Sequence, residues 1–224
     1  FSDGLEVHIP TRVPQFIEAS ATFGKVDDKP VLEQFEVPKG TVRELDKTEI
    51  SLASSAMVGV KRNFDLLQEY PYECLEQRIS KQYPLVGAGD FLLTYGLLDT
   101  DKKEMAKRVK ELLKLMPKYQ AGGFMYYPNS CCPSPYLTCY AVEFILDAKK
   151  KGYSYDAKKL KQAKKYLKNV ALWAINSKYP YSKNTRWLVQ AYAVYVLAKD
   201  GILVKDAVNN LFEVRDRLPF AGIA

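Results

Sequence analysis

The stretch Tyr70-Pro71-Tyr72-Glu73-Cys74-Leu75-Glu76-Gln77 decides how this chain is read. A proline breaks whatever precedes it, because the residue before proline avoids the helical region. Directly after the break comes a cysteine, and three residues later a glutamine. On a helix, positions i and i+3 share a face, about 5–6 Å apart between Cβ atoms. A thiol held that close to a carboxamide can attack it and expel ammonia. The product is an internal thioester, an acyl group poised for a nucleophile. The bland alternative is an ordinary buried cysteine, which is common.

Outward from this motif, the chain reads as helical from Ser54 onward. Ser54 or Ser55 can cap a helix that runs to about Glu69. The motif helix is expected to start near Glu73, and Ala88 to Leu98 reads as a separate short apolar helix. Asp101 with Glu104 resembles a capping pair. Met105, Val109, Leu112, Leu113 and Met116 form an apolar stripe that ends at Pro117. Ser134 suits an N-cap, Pro135 the first helical position and Gly152 the residue past the end. Further helices are expected at about Asp156 to Ile175, Asn184 to Lys199 and Val204 to Leu218. Seven or eight paired helices on short connectors predict an α/α toroid, with inner and outer helices alternating. A full ring needs about a dozen, so the expectation is part of one.

The first fifty residues read differently. Leu5 to Ile9, Val31 to Val37, Thr41 to Leu45 and Glu49 to Ala53 carry period-two patterns between prolines, as strands do. The expected organisation is a β-rich segment over 1–53, part of a sandwich, followed by a helical domain over 54–224. The start at Phe1 and the apolar end at Phe220 to Ala224 read as a piece of a longer protein.

The 224 residues are 47% hydrophobic and 26% charged, and the formal net charge is +7. A basic balance invites a nucleic-acid reading. The lysines argue against it. They cluster at 149–151 and between 158 and 168, where Leu160, Ala163, Leu167, Val170 and Ala171 recur at helical spacing on the opposite side. That is a solvated outer helix. No stretch approaches the ~20 apolar residues of a membrane span. The four cysteines, Cys74, Cys131, Cys132 and Cys139, form no Cys-x-x-Cys pair of the kind structural zinc sites use. No metal or cofactor is expected. A disulfide between Cys139 and one of the vicinal pair is one option, and a strained Cys131–Cys132 bridge another.

A second block follows the motif by about fifty residues. Gly122-Gly123-Phe124-Met125-Tyr126-Tyr127-Pro128 leads into Pro133-Ser134-Pro135-Tyr136-Leu137-Thr138. The glycines permit a tight turn. Together, the Tyr-Pro-Tyr-x-Cys-x-Glu-Gln run and this block resemble the bacterial branch of the alpha-2-macroglobulin and complement thioester family. The resemblance covers roughly residues 50–199.

That resemblance implies a covalent protease trap rather than an enzyme. Cys74 would supply the sulfur and Gln77 the acyl carbon, and the helix N-terminus would stabilise the departing thiolate. Tyr72, Tyr127 and Tyr136 are candidates for an aromatic shield against water, although plain packing is as good a reading of each. Glu76 matches the motif but points off the Cys74–Gln77 face, and no chemical step is assigned to it. The only histidine, His8, lies far from the motif, so direct attack by lysine amines of a protease is expected. The implied partners are proteases and other domains of the parent chain. Nucleic acid is not expected, and membrane anchoring would require an N-terminal part outside this chain. The implied location is the periplasm, cell envelope or extracellular space. Two alternatives stay open: an α/α-toroid enzyme with a metal or paired acids in the ring, and a binding module that kept the motif but lost the thioester. Asp90 and Glu143 are scattered acids, without the spacing the first alternative needs.

Overall fold

The computed structural model describes residues 4–9, 21–22, 24–37, 40, 42, 47–48, 50, 52, 58–98, 100–173 and 183–218. The chain divides into two units, Phe1–Ser51 and Leu52–Ala224. In the first unit, the described residues form no strand. The strands expected at Leu5 to Ile9 and Val31 to Val37 are therefore not formed. Leu5, Val7, Ile9, Phe35 and Val37 are exposed. Period-two alternation marks two faces but provides no neighbour, and a strand exists only when its N–H and C=O groups find one. The expectations at Thr41 to Leu45 and Glu49 to Ala53 fall largely outside the described residues, as do the Ser54 and Ser55 caps.

The second unit is helical. Its α-helices are α1 (Val58–Glu69), α2 (Leu75–Thr94), α3 (Lys102–Leu115), α4 (Pro135–Lys150), α5 (Ala157–Ala171), α6 (Lys183–Lys199) and α7 (Lys205–Glu213). A 3-10 turn at Met116–Tyr119 leads into two short antiparallel strands, β1 (Gln120–Ala121) and β2 (Gly123–Phe124), and a second such turn follows at Arg215–Arg217. The caps fall where the sequence places them. Asp101 accepts from the Glu104 N–H at 2.8 Å, and Ser134 Oγ accepts from the Leu137 N–H at 3.3 Å. Gly152 closes α4 at φ 87°, a left-handed angle that glycine adopts without a Cβ penalty.

Two boundaries differ from expectation, and at the first α7 stops at Glu213, short of Leu218. The motif helix and the short apolar helix are a single helix, α2, which runs straight through Pro84. Proline lacks the N–H that would bond the carbonyl four residues earlier and normally costs a helix about 3 kcal/mol. Leu75, Ile79, Leu85, Val86 and Leu92 are all buried along α2. A Leu or Ile side chain contributes about 1.5–3 kcal/mol on full burial, so packing on both sides of Pro84 outweighs the local penalty.

The helices form two layers. α2 packs on α4 and α4 on α6, while α3 lies against α2, α5 against α4 and α6, and α7 against α6. The order is therefore inner, outer, inner, outer, which is the alternation of an α/α toroid. The sequences match the layers. α4 buries Leu137, Cys139, Ala141, Val142, Phe144, Ile145 and Leu146 almost all round, as a central helix must. α5 buries only its Leu160, Ala163, Leu167, Val170 and Ala171 stripe, leaving Lys158, Lys161, Lys165 and Lys168 in solvent. A half-buried polar cluster ties three inner helices together. Lys199 of α6 bonds Glu143 at 2.9 Å and Asp147 at 2.7 Å, both on α4. Tyr192 donates to Glu143 at 2.6 Å, and Tyr83 of α2 donates to Asp147 at 2.8 Å.

Candidate functional site

The Cys74–Gln77 pair sits at the N-terminus of α2. Cys74 is the N-cap, extended at φ −68° and ψ 165°, and the helix proper begins at Leu75. The two residues are thus joined differently from the helical-face geometry expected. The Cys74 backbone N–H donates to Gln77 Oε1 at 3.1 Å, while the Gln77 N–H points back at the Cys74 sulfur. This is a capping box with sulfur in the place of the usual hydroxyl. It turns the Gln77 carboxamide toward the cysteine and aims a backbone N–H at the sulfur. Cys74 is buried and Gln77 half-buried.

The approach to the cap is braced. Arg78 bonds both the Glu73 carbonyl and the Glu73 carboxylate. Lys81 Nζ donates to the Tyr70 carbonyl at 2.8 Å, and Tyr70 and Tyr72 pack edge to face with centroids 5.5 Å apart. Pro71 lies between them and keeps this lead-in from joining α1.

The second block meets the first through its backbone. The Leu75 N–H, one of the donors a helix N-terminus leaves without an internal partner, is taken by the Tyr126 carbonyl at 2.9 Å. The loop carrying Tyr126 is held from behind. Thr138 of α4 is fully buried; its Oγ1 accepts from the Phe124 N–H at 2.8 Å and donates to the Ser134 carbonyl at 2.7 Å. A Cβ on Gly123 would stand 2.8 Å from Thr138 Oγ1, 2.9 Å from Pro133 and 2.9 Å from Tyr166. Gly122 turns at φ 79°. The glycine pair therefore has two separate reasons, a left-handed turn and a close approach. Thr138 was visible only as part of the block; its role as the bolt between loop and helix was not.

The other sequence candidates are placed less tightly. Tyr72, Tyr127 and Tyr136 are 65%, 57% and 43% exposed, with Tyr136 packed on Tyr192. Glu76 departs from expectation. With Cys74 outside the helix rather than in it, the second helical position comes round toward the sulfur, and the Cys74 Sγ–H donates to Glu76 Oε2 at 4.0 Å. The cysteine expectations also change. Cys139 is fully buried, its Sγ 4.0 Å from the Val189 carbonyl of α6, and Cys131 and Cys132 are exposed. None of the four is in a disulfide, and α4 turns Cys139 into the core, away from the loop that carries the pair. Burial pushes the Cys139 thiol well above its usual range. His8 is exposed beside Glu6 in the first unit.

Two cavities lie elsewhere. One of about 630 Å³ runs along the lysine face of α5, and one of about 370 Å³ lies between α1 and α2. Neither is lined by Cys74 or Gln77. Among the described residues, no group of three His, Cys, Asp or Glu side chains could hold a metal ion.

No family model matches the chain. Its sequence is 27% identical over 176 residues to the alpha-2-macroglobulin of Rickettsia conorii, covering 77% of this chain and 9% of that one. It is 27% identical over 179 residues to that of Escherichia coli, covering 75% of this chain and 10% of the other. Salmonella alpha-2-macroglobulin reacted with methylamine superposes with a TM-score of 0.62 at 26% identity over 70% of this chain and 11% of that one. In sequence and in fold the chain is similar to the bacterial alpha-2-macroglobulins. Native Escherichia coli alpha-2-macroglobulin, from domain MG7 to its C-terminus, has the same fold in this region, with a TM-score of 0.64 at 24% identity over 71% of this chain and 26% of that one. The chain spans about a tenth of the length of the curated alpha-2-macroglobulins it matches. Escherichia coli alpha-2-macroglobulin has been seen activated by trypsin and by porcine elastase.

Proposed function

We propose that this chain carries the acyl-transfer centre of a covalent protease trap of the alpha-2-macroglobulin kind. One observation carries the reading: Cys74 and Gln77 close on each other across a part-buried helix N-terminus, with the Cys74 N–H on Gln77 Oε1 at 3.1 Å. Attack of the sulfur on the Gln77 side-chain carbonyl, with loss of ammonia, forms the thioester. A lysine amine of the captured protease then attacks that carbonyl carbon. The carbon–sulfur bond breaks, an amide to Gln77 forms, and Cys74 is left as a thiol. Each molecule reacts once, so this is an inhibitor and not an enzyme.

Several features support the chemistry. The N-terminus of α2 carries partial positive charge and favours the negative charge that gathers on sulfur. Burial of Cys74 limits hydrolysis before activation. Activation would follow cleavage of a bait segment in another part of the parent protein, whose remaining domains are the structural partners of this one. The first 53 residues would belong to a β domain that other parts of the parent complete. The trap would work in the periplasm, the cell envelope or outside the cell, where foreign proteases are met.

Intact mass before and after methylamine, with thiol labelling, tests this. The expected result is a mass short by one ammonia, converted by methylamine to the methylamide with a new thiol at Cys74. Full mass with Cys74 already reactive, and no change on adding methylamine, would reject a working centre and leave a binding module.

A further inference from the structure

The attacking lysine poses a problem of protons. At its ordinary pKa of about 10.4, under ~0.1% of it is neutral at pH 7, and only the neutral amine attacks. The amine also has a proton to lose as the amide forms, and the departing sulfur has one to gain. The second unit contains no histidine to carry either. At the sulfur itself, one carboxylate is in place. Glu76 Oε2 receives the Cys74 Sγ–H at 4.0 Å, half-buried at the start of α2. The neighbouring polar groups are engaged elsewhere. Arg78 is held by Glu73, and Ser80 on the same helix and Tyr140 on α4 bond each other at 3.0 Å.

We propose that Glu76 is the catalytic proton carrier of this centre, accepting the proton of the attacking amine and delivering it to the Cys74 sulfur. The inference rests on the thioester reading above. The steps balance. The amine nitrogen bonds the Gln77 acyl carbon while Glu76 takes its proton, the carbon–sulfur bond breaks with its electrons going to sulfur, and Glu76 returns the proton to give the thiol. Charge is conserved and no outside reagent is needed. The observed Sγ–H···Oε2 contact is the end point of that path. Closure uses it in reverse, the carboxylate taking the thiol proton and passing it to the departing ammonia. Cys74 as the N-cap makes this possible, because a sulfur one residue inside the helix would leave Glu76 pointing away.

The test is the rate of methylamine opening in the full chain at one pH near neutrality, followed by intact mass and thiol release, for the wild type, Glu76→Gln and Glu76→Asp. General acid–base catalysis is worth about 10²–10⁴-fold. Glu76→Gln should therefore form the thioester more slowly and, once it has formed, open about 10²-fold more slowly, with Glu76→Asp recovering part of the rate. A Glu76→Gln chain that folds but never loses ammonia, while Glu76→Asp does, supports the same role in closure. Opening of Glu76→Gln at the wild-type rate overturns the inference, as does failure of both variants to close in a folded protein, which would make Glu76 a structural element of the cap. A wild type with no ammonia deficit overturns the thioester reading itself, and this inference with it.

Discussion

The Leu75 N–H donates to the Tyr126 carbonyl at 2.9 Å, so that the loop of the second sequence block caps the helix that carries the first. Fifty residues of chain separate the two, and one backbone hydrogen bond joins them beside Cys74. Disturbing the loop should therefore be felt at the cysteine.

Gly123→Ala would place a methyl group under 3 Å from Thr138, Pro133 and Tyr166. Overpacking of this kind costs about 1–3 kcal/mol. The denaturation midpoint should fall accordingly. Labelling of any Cys74 thiol in the native state should also become faster, because the Tyr126 carbonyl moves with the loop. An unchanged midpoint would mean that Thr138, Pro133 and Tyr166 all give way at no cost.

Thr138→Val keeps the shape of the buried side chain but removes the acceptor for the Phe124 N–H. A buried donor left without a partner costs about 1–3 kcal/mol. Thermal unfolding should register that loss, and Thr138→Ser should recover most of it.

Cys74→Ser retains an N-cap of a preferred type. The fold and its melting temperature should be kept, because serine can close the same box with Gln77. Methylamine incorporation should vanish. Circular dichroism paired with intact mass separates the two effects, and incorporation by the serine variant would remove Cys74 from the chemistry.

The Lys199 cluster sets a pH range for stability. Burial raises the Asp147 carboxyl, but its bonds from Lys199 and Tyr83 outweigh that and hold it below the ordinary value. Burial lowers Lys199, and its bonds to Asp147 and Glu143 more than reverse this. The carboxylate contribution is present above the unfolded value, near pH 4, and is lost as pH falls through the lower folded one. The lysine contribution is complete below its unfolded value of about 10.4 and is lost as pH rises through the higher folded one. Lys199→Met should cost about 2 kcal/mol at pH 7, by loss of charged hydrogen bonds, and should flatten the acid limb of the stability curve. Lys165→Met, on the solvent face of α5, should change stability by under about 0.5 kcal/mol.

Thiol accessibility is the last check. Cys131 and Cys132 are exposed, so a thiol reagent should modify both in the native state. Cys139, fully buried and with its thiol pushed upward, should react only on unfolding. Quantitative labelling of the vicinal pair without a reductant would confirm the absence of a disulfide there.

The sequence by itself determined the helices and their faces. The Asp101 and Ser134 caps, the Met105 to Met116 stripe and the lysine face of α5 follow from local chemistry and 3.6-residue periodicity, which act within a few residues and need no partner. It also brought out Cys74 and Gln77, because a three-residue spacing is short-range whichever way the backbone turns. Tertiary structure decided the rest. Pro84 inside α2 is settled by Ile79, Leu85 and Val86 packing on other helices, a benefit no local rule contains. The period-two segments near the start meet no strand among the described residues, because alternation does not provide a pairing edge. The position of Glu76 turned on a single boundary. Cys74 caps α2 in an extended conformation, and beside it the Leu75 N–H is taken by Tyr126, on a loop which only the folded chain brings near. The fold thus places a carboxylate at the sulfur where helical geometry alone points it away.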